Sequence, residues 1–292
     1  MTLKYKIALF TTSDSAANII EICQIKNLSE VVVIIYPRNR KNTEKIKSVI
    51  RMAEKLNIPC IEQPYTEGLE EFERTLVNKG VNLGISWNYS QIIKVSTLRI
   101  FELGIWNMHG GKIPEYRGAN VLQWAIANGE REIGVTWHVM EEEVDSGDIL
   151  IKDTVPVEET ETALEVRDKI FSKGIQLFKI LWHNFINGQI TKESPDLTKG
   201  KVYPPRRMIH GLIDTSFSKK QVKDILRAQC PPWPRPYIIY NGEIRPVHGI
   251  EECKDYTEIV SFPCKDGLIN LYLGPEVNDK ELKKLLLEKQ NR

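Results

Sequence analysis

Asn107 and His109 stand two residues apart in Asn107-Met108-His109-Gly110-Gly111, and an aspartate follows later in Asp145-Ser146-Gly147-Asp148. Residues two apart on a strand point to the same side, so a carboxamide and an imidazole would meet one reacting centre. An amide N–H can hold a developing oxyanion, and an imidazole can move protons near neutral pH. A carboxylate beside that imidazole would orient it and raise its pKa. Taken singly, His109 is a hydrogen-bonded core histidine and Asp145 a turn former. Together, in front of an irregular Gly- and Pro-bearing loop, they form a candidate catalytic set.

The elements that must position this set follow from hydrophobic periodicity. Strand-length apolar runs at 6–11, 31–36, 59–63, 81–87 and 103–106 alternate with helical patterns at 16–25, 43–56 and 69–78. A β-α-β-α rhythm of this kind predicts a Rossmann-like, doubly wound, mostly parallel sheet. Ligands bind such sheets at the carboxyl ends of the strands, where the loop after Trp106 would lie. A helix at 119–128, strands at 133–140 and 149–157 and a long helix at 160–186 complete a catalytic domain over residues 1–188. Residues 189–207 carry Lys, Pro and Gly without apolar periodicity and are expected to be a linker. A helix at 219–228 and short strands at 237–240, 244–249, 258–262 and 268–273 predict a small β-rich, OB-like domain over 208–292, closed by a charged helix at 279–289.

The first strand runs into Thr11-Thr12-Ser13-Asp14-Ser15, where a dinucleotide site would need G-x-G-x-x-G; no G-x-x-x-x-G-K-[ST] loop occurs either. Lys and Arg number 40 against 39 acidic residues, which provides no overall field for a polyanion. The five cysteines, Cys23, Cys60, Cys230, Cys253 and Cys264, have no C-x-x-C spacing and are expected to be reduced, with no metal cluster. No apolar run approaches the roughly 18 residues of a membrane span, and Met1 leads directly into a strand, so a cytoplasmic protein is expected.

The pattern Asn107-x-His109, then Ile113-Pro114-x-Tyr116-Arg117-Gly118, then Asp145-x-Gly147-x-Ile149 resembles the formyltransferases that use 10-formyltetrahydrofolate. Arg206-Arg207, Gly211-Leu212-Ile213-Asp214, Ile225-Leu226-Arg227-Ala228 and the Pro-Trp-Pro run after them resemble the opening of the C-terminal domain of that family's tRNA and sugar branches. The resemblance implies acyl transfer: an amine attacks the formyl carbon on N10, a tetrahedral oxyanion forms, and the folate nitrogen leaves. Asn107 would hold the oxyanion, His109 would shuttle the proton, and Asp145 would orient the ring or hold a relaying water. The folate site it implies is Gln91, Ile92 and Ile93 on one wall and Glu141, Glu142, Glu143 and Val144 on the other; Trp87, Tyr116 and Arg117 would meet the amine substrate. Gly111 and Ala119 depart from the family, which often has Ser and, in some members, Arg at those places. His138, in Trp137-His138-Val139, is expected either beside the site or within the framework.

Two amines fit the resemblance. A nucleotide-linked amino-deoxysugar agrees with the near-zero charge, the Gly110-Gly111 form of the loop and the short C-terminal part. A methionyl-tRNA is the alternative, supported by Arg38, Arg40, Lys41, Lys45, Lys47 and Arg51, which equally fit one solvated helix face. A formyl-folate hydrolase would use the same three groups with water, and is expected to carry a further domain ahead of the first strand. The implied partners are the small-molecule amine and a second copy of the chain as a homodimer, with no membrane.

Overall fold

The computed structural model describes residues 3–251 and 255–277, so the helix expected at 279–289 and Cys253 lie outside the described residues. In chain order the elements are β1 (Tyr5–Thr11), α1 (Ala17–Cys23), β2 (Ser29–Pro37), α2 (Glu44–Lys55), β3 (Cys60–Gln63), α3 (Leu69–Lys79), β4 (Leu83–Trp87), α4 (Val95–Leu98), β5 (Ile105–His109), β6 (Tyr116–Gly118), α5 (Val121–Ala127), β7 (Glu132–Val139), β8 (Ile149–Pro156) and α6 (Ala163–Ile186). Then come β9 (Lys201–Tyr203), α7 (Lys219–Ala228), β10 (Tyr237–Tyr240), β11 (Glu243–Gly249), β12 (Glu258–Cys264) and β13 (Gly267–Leu273).

Seven strands form one sheet in the order β3-β2-β1-β4-β5-β7-β8. Pairing is parallel from β3 through β5, and β7 then runs antiparallel to β5. All five residues of β4 are buried, as expected of a central parallel strand covered on both faces. The helices carry the sheet through ordinary devices. Thr43 caps α2 by accepting from the Ile46 amide, and Ile46, Val49, Met52 and Ala53 make its buried stripe. One core cluster joins Phe10, Ile35, Phe72, Leu76, Ile93 and Ile105.

The strand after Gly104 departs from expectation. It runs from Ile105 to His109 rather than over 103–106, so Asn107 and His109 lie on the strand, as the two-residue spacing supposes, although the apolar run ends at 106. Register explains this: Ser86 on β4 pairs with Asn107 from one side, and His138 and Thr136 on β7 pair with Asn107 and His109 from the other. The pairing keeps the backbone extended beyond the point where apolar side chains stop. The segment at 189–207 is also more ordered than a linker: Glu193 bridges to Ile149, and β9 falls within it.

The chain divides into two compact units, each discontinuous in sequence. One holds the residues up to Arg117 with Gly134–Thr154 and Phe171–Lys201; the other holds Gly118–Ile133, Val155–Ile170 and the residues from Val202 on. Within the second, β10-β11-β13-β12 form an antiparallel sheet, and Val222 and Ile225 of α7 pack with Ile238, Val247, Leu271 and Leu273. Among the described residues, no helix is long and apolar enough to cross a membrane.

Candidate active site

The site is a polar cluster built on two neighbouring strands and one loop of the first unit. On β5, Asn107 and His109 share a face, and the antiparallel register sets His138 of β7 directly opposite Asn107. Their side chains meet: Asn107 Nδ2 lies 3.1 Å from His138 Nε2. The intervening residues turn the other way, Met108 against Gly174 of α6, while Trp137 donates its indole N–H to the Gly174 carbonyl at 2.9 Å. Period-two alternation on two paired strands therefore separates the reactive face from the packed one.

Asp145 arrives from the loop between β7 and β8. Its backbone is left-handed, with φ of 51°, a conformation Asp tolerates better than most side chains. The loop is pinned at both ends, by Met140 N–H to the Ile105 carbonyl at 2.7 Å and by Val139 N–H to the Asp148 carbonyl at 2.9 Å. Gly147 is pressed against the end of β7: a Cβ there would stand 2.1 Å from the Val139 carbonyl oxygen. The carboxyl group ends between two imidazoles, Oδ2 at 3.4 Å from His109 Nδ1 and Oδ1 at 3.3 Å from His138 Nε2.

The electrostatics of His109 follow from its burial. Its ring is 7% exposed, and its Nε2 lies 2.6 Å from the Tyr116 carbonyl. A carbonyl only accepts, so Nε2 carries a proton, and Nδ1 faces Asp145. Burial lowers the His109 pKa below its ordinary 6.5, Asp145 opposes the shift, His138 adds to it, and the outcome is a lowering. Both ring nitrogens are thus engaged inside the protein. Asp145, 11% exposed, is the more exposed member of this pair.

The other residues singled out by sequence divide clearly. Arg117 is buried and pairs by Nη1 with Glu143 at 2.6 Å, while its Nε has no partner. Tyr116 reaches His109 through its main-chain carbonyl. Trp87 is not on the site: it is fully buried, donates its indole N–H to Ser15 Oγ at 2.9 Å and stacks on Trp137. As a large apolar residue on a strand covered on both faces, it serves the core and offers a substrate no surface. Gln91 spends its amide on the framework, accepting from Arg38 N–H and donating to the carbonyls of Gln63 and Pro64. Ile93 packs in the core, whereas its neighbour Ile92 is 78% exposed. Glu141, Glu142, Glu143 and Val144 are exposed along the loop that leads to Asp145.

A cavity of about 560 Å³ opens elsewhere on this unit, lined by Leu98, Arg99, Gly104, Trp106, Met140 and Phe185 among others, Glu141 and Glu142 included. Asn107, His109 and Asp145 do not line it, because Trp106 points to the α6 face and Asn107 away from it. Residues the sequence under-reads are His138 and the Tyr116 carbonyl. Alternation on 133–140 places Thr136 and His138 on one face, but only the antiparallel pairing brings that face to Asn107.

Known proteins share this arrangement of elements. Residues 5–179 match the family model described as Formyl transferase. The methionyl-tRNA formyltransferase of Clostridioides difficile (strain 630) is 29% identical over 245 residues, spanning 83% of this chain and 79% of that protein. A 4-N formyltransferase from Francisella tularensis has a similar fold, with a TM-score of 0.68 at 22% identity over 83% of this chain and 96% of its own. An N-formyltransferase from Helicobacter canadensis, crystallised with folinic acid and dTDP-3-aminofucose, gives a TM-score of 0.68 at 18% identity over 94% and 100%.

Proposed function

The chain belongs to the formyl transferase family, and we propose that it moves a formyl group from 10-formyltetrahydrofolate to the amine of a nucleotide-linked amino-deoxysugar. The observation that carries formyl transfer is the convergence of the Asn107 amide, the two imidazoles and the Asp145 carboxyl at separations of 3.1 to 3.4 Å. An amide donor beside a buried acid–base pair suits a reaction that makes an oxyanion and moves one proton from an entering amine to a leaving one.

When bound, the folate carries the formyl carbon on N10. Ile92 and Val144, both exposed apolar side chains, are suited to cover an aromatic ring system, and Gln91 holds the Ile92 loop in place. The second N–H of Asn107 is available to the developing oxyanion. The amine's proton passes to the Asp145 carboxyl and the imidazole behind it, then back to the departing nitrogen. Arg117, with its unpaired buried Nε, is the cation for an anionic part of the amine substrate, in competition with Glu143. A homodimer in the cytoplasm belongs to the same reading.

The choice of amine rests on charge and extent. Lys and Arg outnumber acidic residues by only 40 to 39, whereas tRNA binding relies on several phosphate contacts and a basic face. The N-formyltransferase from Helicobacter canadensis is matched along its whole length. Transfer to methionyl-tRNA is the second reading, favoured by the C. difficile relative and by the basic run from Arg38 to Arg51 on and before α2. Release of tetrahydrofolate from 10-formyltetrahydrofolate, measured with no amine, with dTDP- and UDP-linked amino sugars, and with charged initiator tRNA, decides among them. Turnover only with tRNA would reverse the choice; turnover without any amine would make the protein a hydrolase.

A further inference from the structure

His138 is the one member of the cluster to which the formyl transfer set out above gives no part. Its ring is 1% exposed and both nitrogens are engaged. Nδ1 lies 2.9 Å from the Val139 carbonyl, which can only accept, so Nδ1 holds the N–H of the neutral ring and the lone pair is left at Nε2. Two groups of opposite character face that lone pair. Asn107 Nδ2, a donor, stands 3.1 Å away, and Asp145 Oδ1, an acceptor, stands 3.3 Å away. The surrounding titratable and charged groups are Asp145 from the loop and His109 from β5, whose ring lies edge-on at 6.1 Å between centroids. Nε2 can accept from the Asn107 amide only without a proton.

We infer that His138 is a positioning residue that fixes which end of the Asn107 amide faces the reacting carbonyl. The inference rests on formyl transfer as the reaction. The two ends of a carboxamide are nearly equal in size, so packing does not distinguish them and a hydrogen-bond partner must. With Nε2 accepting, the amide nitrogen is held at the site and its second N–H is free for the oxyanion. Turned by half a rotation, the amide would offer its oxygen instead, removing a donor and adding repulsion. One carboxyl group lies against both rings, Oδ2 near His109 Nδ1 and Oδ1 near His138 Nε2.

The test compares His138→Leu with His138→Gln in the full chain, using 10-formyltetrahydrofolate and whichever amine the wild type accepts. The leucine variant is expected to lose kcat by roughly tenfold to a hundredfold with both KM values within about twofold of wild type. The glutamine variant, whose Oε1 can accept the same N–H, is expected to recover most of kcat. A folded leucine variant with wild-type kcat, or equal losses in both variants, would overturn the inference. Nitrogen-15 NMR of histidine-labelled wild-type protein reads the tautomer without any substitution. It is expected to show His138 protonated at Nδ1 and bare at Nε2 at neutral pH; a proton on Nε2 would overturn it. That measurement stands even if the wild type transfers no formyl group, a result that would count against the formyl-transfer reading alone.

Discussion

Strand β5 and the loop that carries Asp145 bring groups to the same point by opposite means. β5 is held on both sides, parallel to β4 and antiparallel to β7, and its pleat alone aims Asn107 and His109 to one face. The loop has no such lattice. It is held by two end hydrogen bonds, a left-handed Asp145 and a glycine pressed against a carbonyl. A strand spreads a local error over many hydrogen bonds, whereas a loop concentrates it in a few. The strand-borne groups should therefore respond to loss of their chemistry and the loop-borne group to loss of its geometry.

Replacing Asn107 by Ala removes the chemistry on the strand side. It is expected to lower kcat by about a hundred- to a thousandfold, or roughly 2.7–4 kcal/mol, with the melting temperature little changed. Steady-state kinetics beside a thermal melt check this, and an equal fall in both would mean that Asn107 holds the strand. On the loop side, Gly147→Ala removes no reactive group but drives a methyl group into the Val139 carbonyl. Displacement of Asp145 should lower kcat by about a hundredfold, since small misplacements of positioned groups have effects of that size. Wild-type turnover in this variant would show the loop to be more adaptable than its contacts imply. Gly84→Ala is the strand counterpart: a Cβ there would come within 2.6 Å of Ile105 Cγ1 on β5. Here the expectation is a loss of about 1–3 kcal/mol of stability by denaturant unfolding, typical of overpacking, with kcat less affected than stability.

The pH response is expected to be smaller. Burial sets the folded-state pKa of His109 below its ordinary 6.5, so the folded protein keeps the ring neutral where the unfolded chain would protonate it. The unfolded state then binds more protons as pH falls below about 6.5, and stability should decline across that window. Unfolding at pH 7.5 and 5.5 in wild type and His109→Gln measures this, and the same decline in both would assign it to other groups. Glu143→Gln should do least. It breaks a pair in which Arg117 is buried but Glu143 is 60% exposed, so screening holds the effect on stability to about 1 kcal/mol or less. A larger loss would mean that this pair, and not the backbone, holds the Asp145 loop.

Legibility in the sequence follows the same division. The β-α-β-α rhythm through residue 109 is readable because parallel strands buried on both faces are continuous apolar runs and their helices have a separate period. β4 illustrates it, and so does α7, whose bounds at 219 and 228 agree with the periodicity. The end of β5 is not readable in this way because Asn107 and His109 are polar; hydrogen bonding to two neighbours, not hydropathy, extends the strand through them. Trp87 and Ile93 are given ligand roles by the family resemblance, yet burial sends both side chains into the core.

What the amino-acid order determined by itself was chemical identity and local direction. An amide and an imidazole two residues apart on a strand must share a face, and a glycine two residues after Asp145 allows the chain to turn tightly there. What only the tertiary structure decided was pairing. No local property of residues 132–139 states that this strand runs antiparallel beside β5, yet that register sets His138 against Asn107 and leaves Asp145 between two rings. Periodicity is a property of one segment and survives in the sequence. Register is a property of two, and is settled by hydrogen bonds and burial that exist only once the sheet has formed.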